Sequence, residues 1–262
     1  MLYHTTHINE DVNSEWVVFV HGAGGSSTIW HKQIKAFKKH FNILLIDLRG
    51  HGQNVVRDAL NKKLVYSFKA ISKEIIDVMD ELKIEKAHFV GVSLGTILIR
   101  ELIESHPERI IKSILTGTII RLNTYSKTLI IIGNTTKRVL PFMVLYKIFA
   151  FIIMPRANHE KSRNVFIQEA KKLKKSEFLR WFKLTKTLNR NLKNYAKKLH
   201  NFPVLYLMGR QDHLFVNDSI EMSKLELNSR LEIIENCGHI VNIEQAELFN
   251  LKAIAFLREG KI

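Results

Sequence analysis

The chain has 262 residues, 46% apolar and 25% charged, a balance that excludes a disordered protein and suits one sizeable core. Its one cysteine, Cys237, excludes an intramolecular disulfide and a cysteine-rich metal site. The formal charge of +15 is not evenly spread: residues 121–200 hold 19 of the 40 Lys and Arg but only 3 of the 25 Asp and Glu.

The opening MLYHTTHINEDV lacks the basic start and apolar stretch of a secretory signal, so a reducing, cytoplasmic address is expected. WVVFV (16–20) reads as a buried strand that ends at HGAGG (21–25), and NILLIDL (42–48) as a second that runs into RGHG. From Val65 to Leu82, Ile71, Ile75, Ile76, Val78, Met79 and Leu82 recur at helical spacing. AHFVGV (87–92) is a third strand, Thr96 to Ser105 a helix stopped by His106-Pro107, and IIKSILTGT (110–118) a fourth strand. Continuous apolar strands alternating with helices predict a parallel sheet covered on both faces.

The alternation stops over 121–199, which reads as several helices, and resumes with strands VLYLMG (204–209) and RLEIIEN (230–236) and a helix from Glu244 to Glu259. The organisation expected is an α/β core, 1–120 and 200–262, interrupted by a helical insertion. Val139 to Met154 is very apolar, but it is short for a spanning helix and contains Pro141 and Lys147. It suits the inner face of a lid or an interfacial helix.

VGVSLGT (90–96) places Ser93 between strand and helix with Gly91 and Gly95 two residues away on either side. That is the nucleophile-elbow pattern: a sharp turn lifts the serine hydroxyl clear of the sheet, and small flanking residues let strand and helix pass closely. The helix N-terminus there favours developing negative charge. HGAGG lets the backbone wrap near Ser93, so the amide of Ala23 or Gly24 would join that of Leu94 as an oxyanion hole. No Gly-Lys-Ser/Thr follows, which argues against a phosphate loop.

GRQDHLF (209–215) puts Asp212 just past a strand end, where its carboxylate would orient a histidine, and NCGHIVNIE (236–244) supplies His239 27 residues later as the base. Asp218 lies further from the strand end, His213 is expected to be exposed, and Cys237 reads as a small core residue.

HGAGG, DLRGHG (47–52), GVSLG, GRQD and CGH stand in an order that resembles the α/β-hydrolase superfamily, in its esterase, lipase and cofactor-free hydrolase branch, over about two thirds of the chain. Thr96 and Ala246 depart from the family's frequent glycine and proline. The resemblance implies an α/β-hydrolase fold with a helical cap at 121–199, no cofactor, and acyl transfer through an acyl-enzyme on Ser93, Asp212 and His239. The expected activity is that of a carboxylesterase for small-molecule esters with an apolar acyl part. A slow-turnover sensor, an acyltransferase, a carbon–carbon hydrolase and a cofactor-free haloperoxidase would share the same residues.

In the cap, Phe142, Met143, Leu145, Tyr146, Phe149 and Phe151 are candidates for an acyl pocket. KKLKKSEFLRWFK (171–183) gathers Leu173, Phe178, Leu179 and Phe182 on one side of a helix with lysines elsewhere, a pattern that would give peripheral contact with an anionic membrane surface. No nucleic-acid recognition motif accompanies the basic charge, so that partner is not expected.

Overall fold

The computed structural model describes residues 1–55, 65–137, 139–197 and 202–260. Among them seven strands form one sheet: β1 (His4–His7), β2 (Trp16–Val20), β3 (Asn42–Ile46), β4 (Ala87–Val92), β5 (Ile110–Thr116), β6 (Val204–Gly209) and β7 (Ser229–Ile234). Their spatial order is β1-β3-β2-β4-β5-β6-β7. All neighbours are parallel except β1, which runs antiparallel along β3 with His4 opposite Ile46. β1 has no sequence signal because HTTH is short, polar and only half-buried at the sheet edge.

The inner strands are apolar on both faces because both faces are covered. Along β2, Val18 and Val20 enter one core with α2 (Phe68–Glu81) and α3 (Leu94–Ser105), while Val17 and Phe19 enter another with α1 (His31–Phe37) and α11 (Ala246–Arg258). α2 starts at Phe68 and not at Val65, because Ser67 is in extended backbone and its hydroxyl caps the Ala70 N–H at 3.0 Å. β5 ends at Thr116, short of the expected Thr118, because Gly117 turns the chain with φ +51°. The closing helix is broken at Gln245, which separates a short α10 (Val241–Glu244) from α11.

Between β5 and β6 the chain forms helices α4 (Thr124–Thr136), α5 (Phe142–Ile153), α6 (Glu160–Ala170), α7 (Lys175–Lys183) and α8 (Thr185–Lys197). They share a core of Leu145, Tyr146, Ala170, Leu173, Phe178 and Phe182. Trp181, Leu184, Leu188, Leu192 and Tyr195 instead join the core beneath the sheet, so α7 and α8 are tied to the body of the protein. The apolar side of 171–183 is thus covered: Leu173, Phe178 and Phe182 are buried. α9 (Val216–Leu225) bridges β6 and β7.

Candidate active site

Parallel strands aim their C-terminal ends at one edge, and the loops leaving β2, β4, β6 and β7 carry His21–Gly25, Ser93, Asp212 and His239 respectively. Ser93 has φ 53° and ψ −117°, a left-handed turn between β4 and α3 that few non-glycine residues adopt. Its N–H is anchored on the Thr116 carbonyl at 3.0 Å. The turn is as tight as the flanking glycines suggest: a Cβ at Gly95 would stand 2.2 Å from the Val20 carbonyl oxygen.

Asp212 and His239 are brought together. The His239 Nδ1–H donates to Asp212 Oδ2 at 2.8 Å, and both residues are buried. This fixes the tautomer and leaves Nε2 as the ring's basic atom. Ser93 and His239 line the same cavity, with Ala23 and Leu94. Gly117 lies against the histidine: a Cβ there would stand 3.0 Å from His239 Nδ1 and 2.5 Å from its carbonyl.

Of the two amides left open in HGAGG, that of Gly24 is already used. It donates to His51 Nε2 at 2.9 Å, while His51 Nδ1–H donates to the Arg49 carbonyl at 2.9 Å. His21 does the same in reverse across the two loops, accepting the Leu48 N–H on Nε2 and donating from Nδ1 to the Gly22 carbonyl. Burial, with the neighbouring His21 second, pushes His51 down to about 3, and burial also lowers His21, so both rings are neutral. Asp47 clamps the same pair of loops by accepting the Ser27 and Gln53 N–H groups at 2.7 and 2.8 Å. Ala23 itself lines the cavity, beside Gly22 and Gly25 of the same loop.

Glu244 is a further supporting residue. Its Oε2 accepts the Gly238 N–H at 2.6 Å and its Oε1 the Ser162 hydroxyl at 2.8 Å, which ties the loop bearing His239 to α6. Asp218 pairs with Arg121 at 2.8 Å, outside this constellation, and His213 is exposed. Cys237 is buried, and burial, with Glu244 next, drives its thiol pKa upward, so it is an inert core residue.

The cavity has a volume of about 270 Å³. From the helical segment, Tyr146, Phe149, Ile153, Met154, Val165, Phe166 and Trp181 line it, and Ile29, Phe68, Ile97 and Ile243 close it from the body. Of the sequence candidates, Tyr146 and Phe149 reach its wall. Phe142, Met143 and Leu145 turn instead into the shared core of the inserted helices, and Phe151 is 55% exposed under the Arg163 guanidinium. Glu169 is the carboxylate on the wall. Its Oε2 accepts the Ser26 hydroxyl at 2.6 Å, and its Oε1 pairs with Lys172 at 2.5 Å.

Residues 15–147 match the family model described as the alpha/beta hydrolase fold. Over 88 residues the chain is 33% identical to 3-oxoadipate enol-lactonase 1 of Acinetobacter baylyi, covering 34% of this chain and 31%, about a third, of that enzyme. Over 282 residues it is 27% identical to 2-hydroxy-6-oxononadienedioate/2-hydroxy-6-oxononatrienedioate hydrolase of Burkholderia vietnamiensis, covering 96% of this chain and 90% of that one. The enol-lactonase structure from Burkholderia xenovorans is similar with a TM-score of 0.81 and 22% identity, over 98% of this chain and 96% of that one. The sheet order, the glycine-flanked turn at Ser93 and the family match agree: the chain belongs to the α/β-hydrolase family.

Proposed function

We propose that the protein is a serine carboxylesterase for neutral esters with an apolar acyl part. Ser93 Oγ attacks the ester carbonyl as His239 Nε2 takes its proton, and Asp212 steadies the imidazolium through Nδ1–H. The oxyanion rests on the Ala23 and Leu94 amides, a type of donor typically worth about 3 kcal/mol each. Collapse expels the alcohol with the proton from His239. Water, deprotonated by the same nitrogen, then attacks the acyl-enzyme and releases the acid.

The observation that carries the substrate class is the cavity wall. Among the described residues that line it there is no Lys or Arg, the one carboxylate is Glu169, and the rest is almost entirely apolar. The full-length relative is named for a dioate, a doubly anionic substrate. A wall whose described residues offer one carboxylate and no lining cation opposes such a ligand, whereas a neutral acyl chain loses only water on entry. This favours ester over dioate chemistry.

Steady-state turnover of a panel of p-nitrophenyl esters by the wild type and Ser93→Ala tests the reading. Sustained turnover that falls by about a thousandfold or more in the variant is expected. Equal activity in Ser93→Ala, or no turnover by the wild type on any neutral ester, would overturn it.

A further inference from the structure

Helix α5 has the sequence FMVLYKIFAFII, in which Lys147 is the only charged residue. A helix that is apolar all round belongs in a core or against lipid. α5 meets that demand on one side only. Tyr146, Phe149 and Ile153 line the cavity and Leu145 and Ala150 are buried, yet Val144, Ile148 and Phe151 are 40%, 45% and 55% exposed. With exposed Lys147 they stand at i, i+3, i+4 and i+7, one continuous outward stripe.

α4 and the turn after it continue the pattern. Ile131 and Ile132 are 62% and 50% exposed, and Val139 is 83% exposed. Both helices rest on the same ring of α7: Phe182 lies against Gly133 of α4 and stacks on Phe149 of α5. The residues turned away from that ring therefore form the outer face of the pair. Seven of the sixteen exposed large hydrophobic residues among the described ones fall between Tyr125 and Phe151. That concentration marks an interaction surface, since single exposed apolar residues are otherwise scattered.

Charge selects the occupant. Residues 109–159 contain no Asp or Glu, while Lys127 and Lys147 are exposed within the apolar face. Two copies meeting through this face would set lysine against lysine. An anionic lipid surface satisfies both the apolar stripe and the cations. Among the described residues no helix is long and apolar enough to cross a membrane, so the contact is one of lying on the interface.

We propose that the outer face of α4 and α5 docks on an anionic lipid bilayer, with Ile131, Ile132, Val144, Ile148 and Phe151 entering the acyl boundary and Lys127 and Lys147 meeting headgroups. Of the two segments whose sequence suits membrane contact, 171–183 has its apolar side internal, whereas α5 within 139–154, together with α4, has an outer side that is not. The opposite side of α5 is the cavity wall, so the bilayer would lie one helix diameter, about 10 Å, from the cavity.

The test is flotation of the full chain with phosphatidylglycerol-containing vesicles and with pure phosphatidylcholine vesicles, at low and high salt. It is read on the wild type, on Val144→Glu/Ile148→Glu and on Lys127→Gln/Lys147→Gln, with the oligomeric state measured by sedimentation. Binding to the anionic vesicles at low salt that is lost at high salt is expected. Both double variants should lower the partition by about tenfold or more, with an unchanged circular dichroism spectrum and urea midpoint as the control for folding. Should the glutamate pair fail that control, the glutamine pair, which changes only surface charge, decides. No anionic-vesicle binding by the wild type, unaltered binding in a folded double variant, or a wild-type dimer that Val144→Glu/Ile148→Glu splits would each overturn the proposal. Because binding needs no turnover, its failure is separate from failure of the esterase reading.

Discussion

His51 Nε2 accepts the N–H of Gly24 at 2.9 Å, joining the loop after β3 to the loop that carries Ala23. The bond exists only while that nitrogen keeps its lone pair. Burial and His21 hold His51 at about 3, against 6.5 for an exposed ring. Between these values the unfolded chain binds a proton that the folded chain does not, so stability falls as pH drops below about 6.5, by up to about 1.4 kcal/mol per unit, and levels off below about 3. Above 6.5 the ring is neutral in both states and adds no slope.

Urea midpoints measured across this range test the point. His51→Gln, whose amide oxygen can accept the same N–H without titrating, should show a shallower acid slope than the wild type. Equal slopes would show that His51 does not govern the acid response.

The Asp212–His239 bond predicts a different loss. Asp212→Asn removes the carboxylate that orients Nδ1–H, so kcat should fall by about 10³- to 10⁴-fold with KM little changed and the fold intact by circular dichroism. Glu244 acts one step back, through the loop, as a positioning residue. Glu244→Gln should cost about 2 kcal/mol of stability through its weakened bonds to Gly238 and Ser162. It should also lower kcat more than it raises KM. A change confined to stability would reduce Glu244 to a structural role.

The turn at Ser93 is the most exacting packing in the site. Gly95→Ala would place a methyl 2.2 Å from the Val20 carbonyl oxygen, on the backbone of the inner strand β2, which no rotamer change relieves. A loss of about 3 kcal/mol is expected, read as a lower urea midpoint at unchanged slope. Wild-type stability in this variant would mean that β2 and α3 have room to separate.

The sheet and the loop residues Ser93, Asp212 and His239 were legible because each lies within a few residues of a strand end, where periodicity and glycine placement are local signals. The His51–Gly24 and His21–Leu48 bonds were not, since each joins two loops 27 residues apart and depends on β2 and β3 being neighbours. Glu244 had a partial signal, a carboxylate five residues after the histidine. The lining of the cavity was legible only in part, at Tyr146 and Phe149, for a physical reason: α5 is apolar on every side, so its periodicity names no inner face. Tyr146, Phe149 and Ile153 face the cavity at i, i+3 and i+7, but Val144, Ile148 and Phe151 fit helical spacing equally well and face outward.

Glu169 gives the sharpest test of substrate choice. Its carboxylate is on the cavity wall and mostly buried, held by the Ser26 hydroxyl on one oxygen and by Lys172, itself 55% exposed, on the other. An acyl chain that ends in a carboxylate would bring a second negative charge into the same low-dielectric space, where like charges repel by a kcal/mol or more. Glu169→Gln keeps an oxygen for Ser26 and removes the charge. The ratio of kcat/KM for a p-nitrophenyl hemiester of a dicarboxylic acid to that for a neutral ester of matched length should therefore rise by about tenfold. Glu169→Ala, which also breaks the Ser26 contact, should lower activity on both substrates. An unchanged ratio in Glu169→Gln would mean that the carboxylate braces the helical segment against the loop without selecting the substrate.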